Sequence, residues 1–302
     1  ANCALYCGAK IDLVDINSEN FNISIKILEN KLKAAKKRKK VPKVIIPVHF
    51  GGLPCDMEKI FRLSKKYKFK IIEDASHALG AKYKNEKIGS SKFSDITIFS
   101  FHPVKIITTA EGGAALSNSK KLDQKLKMLR NHGIIKSKNF LKKKNMSSWY
   151  YEFQELGFNY KLNEIQSALG ISQLKKLNRW VAYRNKLAKI YRKELKKLPI
   201  YLPEEKKGFY SSHHLFVILI KKNKKNLNRD DVFDLLKKKN IQSNVHYIPI
   251  HEHPFYKKLG FKSHNFPAMT KYFNGCLSLP MYAGLTIKKQ KRIINILKKC
   301  LS

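Results

Sequence analysis

Ile71-Ile72-Glu73-Asp74-Ala75-Ser76-His77-Ala78-Leu79-Gly80 reads as a buried strand that ends in a carboxylate and runs into a turn of small residues. Upstream, Val44 to Val48 is a β-branched run. Pro54 and Asp56 then open a segment whose Ile60, Leu63 and Tyr67 keep helical spacing, before Lys70 to Ile72 turns strand-like again. Strand, helix, strand is a βαβ unit; such units build parallel sheets that place ligands at the carboxyl ends of their strands. Asp74 therefore falls where a ligand is expected.

Working outward, Asp95 to Phe101 and Gly113 to Leu116 read as further strands and Lys120 to Asn131 as a helix. Residues 134–158 form a long, poorly periodic connection with Trp149, Tyr150 and Tyr151, a length usually functional inside a compact domain. Asn163, with Gln166 three residues on, resembles a helix start. Leu174, Leu177, Val181, Ala188, Tyr191 and Leu195 continue from it as one long helix. A strand over 213–220, a helix over 230–239, a strand over 242–247, a His/Pro-rich stretch and a closing helix after Thr286 complete the chain. The expected architecture is α/β, with a large domain over 1–185 and a small C-terminal α+β domain over 186–302. The length of 302 residues accommodates both.

Composition excludes more than it selects. The formal charge is +40, yet only eight of the 62 basic residues are arginine, and the lysines are spread over nearly every segment. Readers of nucleic acid lean on the guanidinium fork, so the surplus is read as solvated surface and no specific nucleic-acid partner is expected. The five cysteines (3, 7, 55, 276, 300) include no CxxC pair, which speaks against a disulfide scaffold or structural zinc. No apolar run approaches a membrane span, and a cytoplasmic location is expected. His246, His251, Glu252 and His253 lack standard ligand spacing, so no metal site is expected.

The chemistry rests on Asp74 and on Lys105, which sits in the loop Ser100-Phe101-His102-Pro103-Val104-Lys105, just past a strand and just before Thr108-Thr109-Ala110-Glu111-Gly112-Gly113. A lysine to form a Schiff base and an aspartate to keep a pyridine nitrogen protonated are what a pyridoxal phosphate enzyme needs. Taken alone, Lys105 is one lysine among many, and Asp74 is equally a turn residue.

These segments, with Leu129-Arg130-Asn131-His132-Gly133, Leu156 to Asn163, Val245 to His251 and Ser278-Leu279-Pro280, resemble the DegT/DnrJ/EryC1/StrS sugar aminotransferases along nearly the whole chain. That family has the fold-type I architecture, a mostly parallel central sheet sandwiched by helices. The resemblance implies pyridoxal 5'-phosphate carried on Lys105, Asp74 at its ring nitrogen, His77 near its phenolic oxygen and Ser100 at its phosphate. A helix-start histidine is the alternative for His77. Asn159 would reach the phosphate of a neighbouring subunit's cofactor, implying a homodimer with shared sites. His49, His102, His246 and Tyr247 are the expected substrate contacts.

The implied reaction is ping-pong transfer of an amino group, with glutamate the implied donor, to C4 of a UDP-linked 4-keto-6-deoxy-N-acetylhexosamine on the pseudaminic acid route. Another 3-keto or 4-keto nucleotide sugar, or a remnant without activity, are the alternatives. Full-length members carry, ahead of the position of Ala1, a phosphate-binding Ser-Gly-Thr turn and an aromatic residue that stacks on the cofactor ring. Without them the chain is expected to bind cofactor weakly and to expose a core face. Lys161 stands where relatives have arginine, which removes a planar fork.

Overall fold

The computed structural model describes residues 1–204 and 206–302. Its central sheet has four strands in the spatial order Val44–Ile45, Lys70–Asp74, Ile96–Ser100, Gly113–Leu116. The first two pairings are parallel and the last is antiparallel, with Ile71 beside Ile45, Asp74 beside Ile98, and Ser100 opposite Gly113. Helices Ile25–Lys37 and Met57–Tyr67 close one face, because Leu28, Leu32, Ile60 and Leu63 recur at helical spacing and meet Ile45, Ile71 and Phe99. Ser24 and Asp56 cap these helices, each accepting a backbone N–H of the first turn.

Residues of the opposite parity form the other face. Val44, Ile46, Val48 and Ile98 on it are exposed, an apolar surface that no helix covers among the described residues. Asp74 and Ser100 lie at the carboxyl-terminal margin of this open face.

A second core gathers Leu187, Tyr191 and Leu195 with the strands Phe216–Ile220 and Cys276–Leu279 and the closing helix Ile287–Leu301. Thr286 caps that last helix. A strap from the N-terminal half reaches this part: buried Asp15 accepts the Ala268 and Met269 N–H groups (2.9 and 3.0 Å), acting as a distant cap on helix Pro267–Gly275.

Three expected elements differ. The long helix is two, Glu164–Leu174 and Leu177–Leu195. The turn tightens at Lys176, whose N–H bonds the Gln173 carbonyl. The two stripes serve different surroundings: Val181, Leu187 and Tyr191 are buried, whereas Ile165, Ile171 and Leu174 are exposed. The 242–247 strand is one bridge, Asn244 to Ser278. Beyond it the His246 ring bonds Ser278 Oγ (2.7 Å) and the His246 carbonyl accepts the Tyr272 hydroxyl, so side chains replace the ladder. The 213–220 strand begins at Phe216, since residues 211–215 instead bond the turn at 50–52.

Candidate active site

At the end of strand Lys70–Asp74 the chain makes two consecutive turns, Ala78 N–H to Ala75 O and Ala81 N–H to Ala78 O. His77 sits in the first of them and does not start a helix. Asp74 Oδ1 accepts the Ser76 N–H (3.1 Å), which orients the carboxylate at the strand end. Across the adjacent strand, Ser100 begins a loop in which its Oγ accepts the His102 N–H (3.4 Å) and Lys105 N–H bonds the His102 carbonyl (2.9 Å). The two loops face each other, and Asp74 and Lys105 feel each other's charge.

That geometry sets the state of each group. Burial lowers the Lys105 ammonium below its ordinary 10.5, with Asp74 opposing in part, so the free amine, the nucleophilic form, is easier to reach. Among the described residues Lys105 Nζ has no ion pair within 4 Å.

His77 is pushed down to about 4, first by burial and then by the Lys105 charge, against the pull of Asp74 and with a smaller push from His246. Its Nδ1 accepts the Gly51 N–H (3.3 Å). A backbone N–H only donates, so the ring proton of the neutral imidazole resides on Nε2, which is left as a donor. From the C-terminal half come His246, lowered by burial and by Lys105, and Tyr247, whose ring stacks 6.5 Å from that of His77.

The depressed His77 has a consequence for stability. The unfolded chain binds this proton near pH 6.5 and the folded chain near 4, so the contribution is complete above 6.5 and is lost as the pH falls toward 4. Roughly 3 kcal/mol is the expected upper size. Urea unfolding at pH 7.5, 6 and 5 should show the decline, and His77→Gln should lessen it, the remainder coming from the other lowered histidines, His214 and His246.

Of the expected site residues, the fold gathers Asp74, Lys105, His77, His246 and Tyr247. Ser100 and His102 lie on the loop that carries Lys105, where His102 Nδ1 accepts the Val104 N–H (3.3 Å) and Nε2 stands 3.8 Å from Glu111. Asn159 is exposed, its backbone paired with Asn131, and among the described residues its side chain makes no hydrogen bond.

His49 is placed otherwise than expected of a substrate contact: it is 0% exposed, accepts the Cys55 N–H at Nδ1 (3.0 Å) and therefore donates from Nε2 to Glu73 Oε2 (2.8 Å), on the helix-covered face of the sheet with no surface left open. Burial is the largest influence and would raise the Glu73 carboxyl, but the contacts with His49 together with hydrogen bonds from Ser94 and Thr97 outweigh it and hold the group below its usual range. Backbone His49 N–H also bonds the Asp74 carbonyl (3.0 Å), so this pair fixes the strand end that carries Asp74. Removing one partner strands a buried charge: His49→Ala is expected to cost about 3–5 kcal/mol in urea unfolding.

The DegT/DnrJ/EryC1/StrS aminotransferase family matches residues 1–298. The chain belongs to that family. It is 39% identical over 300 residues to the UDP-4-amino-4,6-dideoxy-N-acetyl-beta-L-altrosamine transaminase of Campylobacter jejuni, covering 98% of this chain and 75% of that one. To the uncharacterized protein MJ1066 of Methanocaldococcus jannaschii it is 38% identical over 303 residues, covering 100% and 76%. Among solved structures, Helicobacter pylori PseC, an aminotransferase involved in the biosynthesis of pseudoaminic acid, superposes with a TM-score of 0.87. Its identity is 32%, over 100% of this chain and 76% of that one. A DegT DnrJ EryC1 StrS aminotransferase from Brucella abortus gives the same TM-score at 27% identity, covering 100% and 76%. The chain thus spans about three quarters of the length of these relatives.

The sugar aminotransferases of this family are pyridoxal phosphate enzymes, and so is this one. The donor set fits the cofactor: a carboxylate for the ring nitrogen, a lysine with a lowered ammonium, and a neutral imidazole whose Nε2 carries the proton.

Proposed function

We propose that this aminotransferase moves an amino group from an amino acid, glutamate in this reading, to C4 of a UDP-linked 4-keto-6-deoxy-N-acetylhexosamine. The observation that carries the reading is the convergence of Asp74, Lys105 and His77 at one end of the sheet, in a chain similar to the UDP-4-amino-4,6-dideoxy-N-acetyl-beta-L-altrosamine transaminases of Campylobacter jejuni.

Asp74 would hold the pyridine nitrogen, His77 Nε2–H the phenolic oxygen and Ser100 the phosphate. When bound, pyridoxal phosphate supplies an electron sink for the pair left behind as the donor's α-proton departs. Lys105 Nζ, deprotonated with help from burial, takes that proton and holds it for return. The same nitrogen serves both halves of the exchange, so the keto acid must leave before the keto sugar enters, and ping-pong kinetics follow. His102 and Tyr247, exposed, and His246, half-buried, are assigned to the sugar nucleotide.

We further place the enzyme in the cytoplasm, where its five unpaired thiols are at home, and as a homodimer in which Asn159 reaches the partner's cofactor phosphate. Around Asn159 the chain exposes Leu156 (96%), Phe158, Tyr160 and Ile165 (83%), an apolar concentration that a monomer rarely leaves in water.

Steady-state assays with glutamate and a panel of nucleotide keto sugars test the assignment. Parallel double-reciprocal lines and a preference for the UDP-4-keto-6-deoxy-N-acetylhexosamine are expected. A preference for a 3-keto sugar would replace the substrate, and intersecting lines would contradict the shared lysine.

A further inference from the structure

One short C-terminal segment, residues 211–215, hydrogen-bonds the turn at 50–52 and the turn of His77. Ser212 N–H bonds the Gly52 carbonyl (3.1 Å), Leu215 N–H bonds the Gly51 carbonyl (3.2 Å), and Ser212 Oγ donates to the His77 carbonyl (2.9 Å). Gly52 has φ +96°, and a Cβ there would lie 2.5 Å from Ser212 Oγ and 2.9 Å from the His77 carbonyl. The closeness of this seat therefore demands glycine.

On the seat lies the His214 ring, 6% exposed, with its centroid 4.4 Å from that of His77 and the planes tilted by 39°. Behind it the buried Arg184 guanidinium donates to the carbonyls of His213, His214 and Met281 (3.1, 3.3 and 2.7 Å), which locks the backbone at 214. His214 Nδ1 is buried and without a partner among the described residues. An unpaired buried nitrogen costs free energy, so its persistence beside a reactive centre calls for a reason. Here the ring is held by its face and its backbone, and what the face meets is His77.

We propose that His214 is a positioning residue for His77, its ring fixing the plane in which His77 Nδ1 meets the Gly51 N–H, the contact that leaves the proton on Nε2. This rests on, and deepens, the reading of His77 as the donor to the cofactor's phenolic oxygen. The groups facing His77 are Asp74 on its own loop, Lys105 from the loop after strand Ile96–Ser100, His246 and Tyr247 from the Asn244 segment, and His214 itself, with Arg184 behind. Only Asp74 favours a proton on His77. Burial, joined by His77, Arg184, Lys105 and His246, pushes His214 down to about 2, so the positioning ring stays neutral and adds no charge of its own near neutrality.

The test is histidine-ring 15N NMR on the cofactor-free chain, comparing His214→Phe, which keeps a ring and gives up no hydrogen bond at Nδ1, with His214→Leu, which keeps bulk without a ring. In the unsubstituted protein and in His214→Phe, His77 should show the Nε2–H tautomer and remain unprotonated down to about pH 5. In His214→Leu the tautomers should mix and the His77 midpoint should rise by about one pH unit or more.

Equal behaviour of the Phe and Leu variants would overturn the proposal, whether both keep the tautomer or both lose it. Should the Leu variant fail to fold, His214→Asn takes its place as the variant without a ring. A second readout separates this inference from the reading beneath it, the pH midpoint of the visible band after loading with pyridoxal phosphate. If His77 loosens in His214→Leu but the band's midpoint stays where it was, the positioning role stands and the contact between His77 and the phenolic oxygen does not.

Discussion

Lys105→Ala should lose transamination by about 10³-fold or more while keeping its fold. Proton transfer by a positioned side chain contributes about 10²–10⁴-fold, and this lysine is also the proposed attachment point for the cofactor. The fold should survive because Lys105 Nζ has no salt-bridge partner among the described residues, and its side chain is only half-buried. Cofactor then binds non-covalently, the visible band of the lysine adduct disappears, and a small primary amine added to the buffer should restore part of the rate. Single-turnover kinetics in stopped flow, with glutamate alone, check the first half of the exchange without the sugar. Activity within a few fold of the unsubstituted enzyme would remove Lys105 from the reaction.

Asp74→Asn should cost about 100-fold in kcat. The carboxylate is asked to hold a proton on the ring nitrogen, and a hydrogen bond to a charged group is worth roughly 1.5–3 kcal/mol, about one to two decades in rate. Asparagine keeps the shape, and its amide oxygen still accepts the Ser76 N–H, so stability should barely change. The cofactor's spectrum should shift to that of an unprotonated ring, and both half-reactions should slow together. A variant that slowed only the sugar half would move Asp74 from the cofactor to the substrate.

Much of this site was legible because chemistry and parity coincide. Asp74 and Lys105 stand at strand ends that the apolar runs mark, and the capping box of Asn163 with Gln166 is present as read. Parity also held the answer for His49: Ile45, Pro47 and His49 alternate with the exposed Val44, Ile46 and Val48, which puts His49 on the covered face beside Glu73. A histidine's chemistry suggests a substrate contact, but its position along the pleat decides its surroundings.

The helix break at Lys175–Lys176 carries no Gly or Pro to announce it, because it arises from the two helices facing different surroundings. His214 was hidden for a related reason. The apolar run from 215 suggests that the strand extends back through it, and only long-range bonds, Leu215 to Gly51 and Arg184 to three carbonyls, pull 211–215 away toward His77. Sequence spacing records neither.

Lys105, one lysine among the many in a chain of net charge +40, is assigned as the carrier of the cofactor. Reduction of the pyridoxal phosphate-loaded protein with borohydride, followed by peptide mass spectrometry, tests it directly. A single modified peptide is expected, with the adduct on Lys105, suppressed when glutamate is added before reduction. Label spread over surface lysines, or fixed on another residue and indifferent to glutamate, would contradict it.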